Sequence, residues 1–119
     1  VLEKTERGEP GYNHWRSARA HYSLGRCDLQ AGDGERALAH LTRVEAELLR
    51  RAPDSALRTL ALLRRGQAFD LLGRRREALV AYGRVLERPD TSGAHAKARG
   101  FVGSPFRTEA EEPAVAGGS

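Results

Sequence analysis

The sequence has little of what builds sheets, disulfides or membrane spans. Its 119 residues contain no isoleucine, no methionine and one tryptophan, and only 6% of them are aromatic. Because β-branched and aromatic residues favour strands, their scarcity beside abundant leucine and alanine predicts an all-helical protein. The single cysteine, Cys27, excludes an intrachain disulfide. No stretch approaches the roughly 18 apolar residues of a membrane helix and no signal peptide is recognisable, so we expect a cytoplasmic protein without a membrane partner.

Charge is abundant and mostly basic. Twenty lysine and arginine residues stand against 16 acidic ones, and 18 of the 20 are arginine, a bias that indicates a GC-rich, bacterial genome. Arg107 together with Glu109, Glu111 and Glu112 gives residues 104–119 a charge of −2, which leaves +6 for residues 1–103. This excess keeps a nucleic-acid-binding surface as one hypothesis. Interleaved acidic residues and the lack of an aromatic-basic stacking platform argue against it.

The sequence repeats itself at a spacing of 41 residues. When residues 21–44 are placed over residues 62–85, six pairs of identical residues share this offset. A fixed period of about this length is typical of stacked helix hairpins. The six pairs are Gly25 with Gly66, Gly32 with Gly73, Ala37 with Ala78, Leu38 with Leu79, Arg43 with Arg84, and Val44 with Val85.

Two kinds of glycine mark each copy of the repeat. Gly25 and Gly66 fall within runs of helical periodicity, where a glycine costs about 1 kcal/mol relative to alanine but lets a neighbouring helix approach closely. Gly32 and Gly73 each follow one such run and precede another, which is the position of a left-handed helix cap. Each copy therefore predicts a helix, a glycine turn and a second, antiparallel helix.

This arrangement resembles the tetratricopeptide repeat family, whose hairpins carry a glycine in the first helix, a glycine at the turn and a small–aromatic–small series in the second helix. The resemblance covers residues 14–89, with Asp28 where the family has an aromatic residue. HEAT-like hairpins share the longer period and remain an alternative, but the turn glycine five residues before the packing alanine in both copies favours the tetratricopeptide interpretation. The matching residues are Leu24, Gly25, Gly32, Ala37, Leu41 and Val44 in the first copy, and Leu62, Gly66, Phe69, Gly73, Ala78, Tyr82, Val85 and Pro89 in the second.

The resemblance implies an all-α, right-handed solenoid of antiparallel hairpins with about five helices. The family repeat has about 34 residues, so we expect the extra residues to lengthen the second helix of the first hairpin by about two turns. A last helix, with Pro105 and Phe106, is expected to cap the open apolar face. The predicted units are residues 1–12 as the end of a preceding repeat or a linker, 13–52 as the first hairpin, 53–90 as the second, 91–106 as the capping helix and 107–119 as a disordered tail.

The resemblance also implies a concave groove, lined by the first helix of each hairpin, in which a partner peptide lies. Arginine for charge-assisted hydrogen bonds and tyrosine for contact area suit a protein or peptide segment. Family members that grip a peptide's terminal carboxylate use lysine and asparagine residues that are missing here, which disfavours that ligand. The candidate binding residues are Arg19, Tyr22, Arg26 and Gln30 in the first copy and Arg64, Gln67 and Asp70 in the second. Leu29, Leu60, Leu63 and Leu71 share this face, and for the last three burial against neighbouring helices is the favoured interpretation.

We predict no catalytic, cofactor or metal site, and hence no enzyme. The histidines lack metal-ligand spacing, and the sequence contains no phosphate-binding glycine loop, nucleophile elbow or paired acid motif. Cys27 is interpreted as a packed small hydrophobe and Arg74, Arg75 and Arg76 as a solvated run. The favoured function is a protein-interaction scaffold, whose partner is a protein, a peptide or a missing domain of the parent chain. The alternative is a structural C-terminal cap or regulatory module of a larger enzyme or regulator.

Overall fold

The computed structural model describes residues 10–108, with side chains from residue 16 onward. Most of the predicted leading unit and of the predicted tail lies outside these residues. The described part of the chain contains five helices and no strand, which confirms the all-α prediction. The helices are α1 (Pro10–Gln30), α2 (Gly34–Arg51), α3 (Ala56–Leu71), α4 (Arg75–Leu86) and α5 (Ala94–Gly103).

The two glycine turns have the predicted conformation. Gly32 and Gly73 adopt φ values of +80° and +75°, in the left-handed region that glycine enters without a steric penalty. In both turns the residue after the glycine donates its backbone N–H to the carbonyl five positions earlier, at 2.9 Å in the first turn and 2.8 Å in the second. This bond satisfies a carbonyl that the helix end leaves unpaired, so both turns end a helix in the same way.

Side-chain caps start two of the helices. The Asp33 carboxylate accepts the backbone N–H of Arg36 at 3.1 Å and starts α2, and the Ser55 hydroxyl accepts that of Arg58 at 3.3 Å and starts α3. Helix α2 has 18 residues and α4 has 12, which confirms the expected lengthening of the first hairpin. None of the described helices is long and apolar enough to cross a bilayer.

Each hairpin closes over a mid-helix glycine. A Cβ built on Gly25 would lie 2.7 Å from Leu41 Cγ, and one built on Gly66 would overlap the ring of Tyr82. Leu41 and Tyr82 are fully buried and are themselves 41 residues apart. The mid-helix glycines therefore provide the close helix approach that the repeat predicts.

The core runs along the stack as three apolar clusters, which are connected through the half-buried side chains of Tyr22 and Leu38. Helices α2 and α3 pack on each other between the hairpins, and α5 packs on α4 and α3 at the far end. Ala94 and Ala98 of α5 are fully buried beside Tyr82 and Leu62. Burying a leucine or valine contributes about 1.5–3 kcal/mol, so helix stacking is the main source of stability. The largest fully buried side chains come from α2, α3 and α4, namely Leu41, Val44, Leu48, Leu62, Leu63, Tyr82 and Val85.

Candidate functional site

Three predicted binding residues meet between α1 and α3. Arg64 donates its Nε–H to the hydroxyl of Tyr22 at 3.2 Å and an Nη1–H to the side-chain oxygen of Gln67 at 2.9 Å. Arg64 and Gln67 lie one turn apart on α3, and Tyr22 faces them from α1. The guanidinium of Arg64 is therefore held in one orientation by partners on both helices.

A cleft of about 140 Å³ opens beside this cluster. We call it the α1–α3 cleft, because side chains of both helices line it. Arg26 and Gln30 are exposed, one turn apart on α1, whereas Gln67 is only 4% exposed. Arg19 is exposed earlier on α1 and is not among the lining residues. The cleft is lined by Arg26, Leu29, Gln30, Arg64, Gln67 and Phe106.

Asp70 is the centre of a buried polar cluster rather than an exposed groove residue. Its side chain is 1% exposed. It accepts hydrogen bonds from the hydroxyl of Tyr82 at 2.7 Å, from the backbone N–H of Phe106 at 2.9 Å and from Arg75 Nη1 at 3.1 Å. In this conformation the carboxylate is surrounded by internal donors, so the expectation that it faces a partner is corrected. We call these four residues the Asp70 cluster.

The Asp70 cluster ties the last two helices together. Burial, followed by the hydrogen bond to Asp70, raises the pKa of the Tyr82 hydroxyl far above its ordinary value, so Tyr82 remains a donor. Arg75 Nη2 donates to the backbone carbonyls of Phe101 and Val102, both at 2.7 Å. A cation at these carbonyls also complements the negative end of the α5 dipole.

The structure confirms only part of the expectations for the groove-face leucines, for Cys27 and for the arginine run. Leu63 is buried as interpreted, whereas Leu60 and Leu71 are only half-buried. The interpretation of Cys27 as a packed residue is wrong, because Cys27 is exposed on α1. Of the arginine run, Arg74 and Arg76 are exposed, and Arg74 pairs with the equally exposed Glu77 at 2.6 Å, so both fit a solvated face. Arg75 does not, because it pairs with the buried side chain of Asp70.

Phe106 is the lining residue that sequence reasoning placed elsewhere. It was expected to complete the cap over the second hairpin. Its ring packs instead on the buried cluster of the first hairpin that includes Leu29 and Leu41, and it meets the ring of Phe101 edge-on at 5.5 Å. Irregular chain after the last helix has no periodicity that predicts its path. The only available signal was an aromatic residue directly after Pro105.

Paired antiparallel helices, joined by left-handed glycine turns and stacked side by side, define a helical repeat protein. Residues 60–91, which contain α3 and α4 except for the first turn of α3, match the family model of the tetratricopeptide repeat. This match, together with the five stacked helices, supports the predicted tetratricopeptide-like helical repeat. Searches of curated proteins and of solved structures found no significant match. Proteins with this repeat generally act as protein-interaction scaffolds and are typically not enzymes.

Proposed function

We propose that this chain is a protein-interaction scaffold that receives an extended protein or peptide segment in the α1–α3 cleft. The observation that supports this most is the pre-oriented guanidinium of Arg64. Only two of its five N–H hydrogens are used by Tyr22 and Gln67, so the others can bind acceptors of a partner. A donor that is already held in place loses little conformational entropy on binding.

The charge around the cleft favours an acidic partner. Arg26 and Arg64 line it, and no acidic residue does. The charge of nearby Asp70 is balanced by Arg75. Carboxylates bound by arginine form charge-assisted, often bidentate hydrogen bonds, which give orientation as well as affinity. The segment can belong to another protein or to a further domain of the parent chain.

Peptide selection with a charge-reversal variant tests this proposal. Random peptides displayed on phage are selected on the full chain, and the recovered peptides are titrated against Arg26→Glu and against the control Arg50→Glu. Arg50 is exposed at the end of α2, so both variants change the charge equally. We expect Arg26→Glu to weaken binding by about tenfold or more, or about 1.4 kcal/mol, and Arg50→Glu to leave it unchanged. Peptides that bind both variants as tightly as the parent chain would overturn the proposal.

The outer face of α1 supports a second candidate, the structural cap. Ala61 and Ala68 of α3 are fully buried against the first hairpin. Ala20 and Cys27 hold the equivalent positions on α1, 41 residues earlier, and both are exposed, with Leu24 between them 48% exposed. The same small-residue face is thus covered on α3 and open on α1. In this second proposal a helix of the parent chain docks there.

Alkylation of Cys27 tests the second candidate. The rate for this chain is compared with the rate for a chain extended by its natural upstream sequence. Protection of the thiol in the extended chain supports a docked helix. Equal rates would rule out a cover over this face, and the peptide-binding proposal would be unaffected.

A further inference from the structure

The segment that follows α5 crosses from the second hairpin to the first. Ser104 ends α5 with a backbone hydrogen bond to the carbonyl of Gly100, and Phe106 then donates its N–H to Asp70. Thr108 is buried, and its hydroxyl lies near Gly32 in the turn between α1 and α2. Residues 104–108 therefore pass over the ends of α3 and α1 in an irregular conformation, as a bound peptide would.

This segment is held by the half-buried ring of Phe106 and by the buried Thr108. Phe106 packs on the apolar cluster beside the α1–α3 cleft, while its neighbours Pro105 and Arg107 are exposed. The end of α5 is also held from outside the segment, since Arg75 donates to the carbonyls of Phe101 and Val102. Phe106 thus fills a place for an aromatic ring that α1 and α3 form between them.

We propose that residues 104–108 are an internal occupant of the binding surface and that a partner segment replaces them. The partner is an extended acidic peptide with one aromatic residue. Its ring takes the place of the Phe106 ring, its backbone N–H binds Asp70, and its carboxylates face Arg26 and Arg64. This inference rests on the proposed function above and adds the identity of the anchor and the competition with the chain's own segment.

The charges explain why a partner would prevail over the internal segment. Arg107 follows Phe106 and brings a further positive charge to a surface that already carries Arg26 and Arg64. An acidic residue in place of Arg107 would gain the attraction that the internal segment lacks. The internal segment has the advantage of being tethered, which raises its effective concentration. A partner binds only those molecules whose cleft is open. Its apparent association constant is therefore the intrinsic constant multiplied by the fraction of open molecules.

Fluorescence polarisation with a designed peptide tests the competition. The probe is fluorescein-labelled Glu-Gly-Ser-Pro-Phe-Glu-Thr-Glu, and its control has alanine in place of phenylalanine. We expect Phe106→Ala to bind the probe about tenfold more tightly than the parent chain, because the competitor has lost its anchor. Val102→Ala, an exposed change on α5, should bind like the parent chain. Equal affinities for the parent chain and Phe106→Ala would overturn the inference, as would equal binding of the control peptide.

Hydrogen exchange on the unmodified chain gives a second readout that does not depend on a variant folding. Saturating probe should accelerate exchange of the Phe106 amide, which Asp70 protects in the closed state. Unchanged or slower exchange would overturn the inference. So would sedimentation showing that the segment exchanges between two copies of the chain.

If selected peptides depend on Arg26 but ignore Phe106→Ala, only this inference fails; if no peptide binds, the proposed function fails with it.

Discussion

The two hairpins have the same backbone arrangement but different side chains at equivalent positions. In each, the first helix carries a glycine, and a large buried side chain from the second helix packs against it. That side chain is Leu41 over Gly25 in the first hairpin and Tyr82 over Gly66 in the second. Leucine completes an apolar crossing, whereas tyrosine also brings a hydroxyl that requires a partner. The shared backbone arrangement determines the fold. The side chain that packs on the glycine determines which further groups each hairpin can bind.

The partner of that hydroxyl is absent from the first hairpin. Leu29 is buried where the second hairpin has Asp70, and Gly34 stands where the second has Arg75. A Cβ built on Gly34 would lie 3.0 Å from Leu72 Cγ and 3.1 Å from the Ala68 carbonyl, so a close approach to the end of α3 replaces the ion pair. The second hairpin therefore has a polar cluster that can hold α5 and Phe106, and the first has a smooth surface that stacks on α3.

The largest expected effect comes from filling the glycine positions. Gly66→Ala should cost about 3 kcal/mol, because the ring of Tyr82 is held by Asp70 and cannot move aside, while Gly25→Ala should cost about 1–2 kcal/mol because Leu41 can change rotamer. Urea denaturation measures both. Gly83→Ala, in α4 with open space around it, is the control and should stabilise by about 0.5–1 kcal/mol. An equal or larger loss at Gly25 would contradict the difference between the hairpins.

Removing one hydroxyl tests the polar cluster alone. Tyr82→Phe should lower the free energy of unfolding by about 1–2 kcal/mol, because Asp70 keeps its buried charge and loses a donor. Tyr22→Phe is the matched change in the first hairpin, where the half-buried hydroxyl only accepts from Arg64. We expect it to cost less than about 0.5 kcal/mol, measured in the same urea titration. Equal losses in the two variants would show that the Asp70 cluster adds nothing to an ordinary hydrogen bond.

The contrast also shows what the sequence can predict. The roles of Gly32, Gly73 and the two mid-helix glycines were predicted correctly. A left-handed turn and a close helix approach each require glycine, so a glycine recurs at the same position of the repeat 41 residues later. Asp70 was assigned to the groove by helical position. Its burial depends on hydrogen-bond donors from three other places in the chain, including Phe106. No local sequence pattern predicts that these donors converge on Asp70. Residues outside the repeat thus decide which of the predicted groove positions remain exposed.

A smaller effect is expected where the first hairpin departs from the family. Asp28 holds the position of Phe69, and its Oδ2 is buried without a hydrogen bond, 3.7 Å from His40 Nε2. A carboxylate in the last turn of α1 also opposes the helix dipole. We expect Asp28→Leu to raise the free energy of unfolding by about 1 kcal/mol, measured by urea denaturation. Asp54→Leu, at an exposed site, should change it by less than about 0.5 kcal/mol; destabilisation by Asp28→Leu would instead assign the carboxylate a supporting role.

The smallest expected effect is a pH dependence confined to the first hairpin. His21 Nδ1 lies 2.9 Å from His40 Nδ1, so one of the two rings must accept and be neutral. Burial first, then the charges of Arg43 and His40, lowers the pKa of His21 below 6.5. The unfolded chain therefore binds a proton more readily than the folded chain. The contribution of His21 to stability should be complete above pH 6.5, fall as the pH drops below 6.5, and level off below the lowered pKa.

Urea midpoints at pH 7.5 and pH 5.5 measure this effect. His21→Leu introduces the residue that the second hairpin has at the equivalent position, Leu62, and should reduce the difference between the two midpoints. His95→Gln is the control in the other half of the molecule, where the imidazole bonds to the carbonyl of Arg88. If His95→Gln reduces the difference as much as His21→Leu does, the pH dependence does not originate in the His21–His40 contact. Because Asp28 also lies beside His40, repeating the pair of measurements in Asp28→Leu separates its charge from the effect of the two rings.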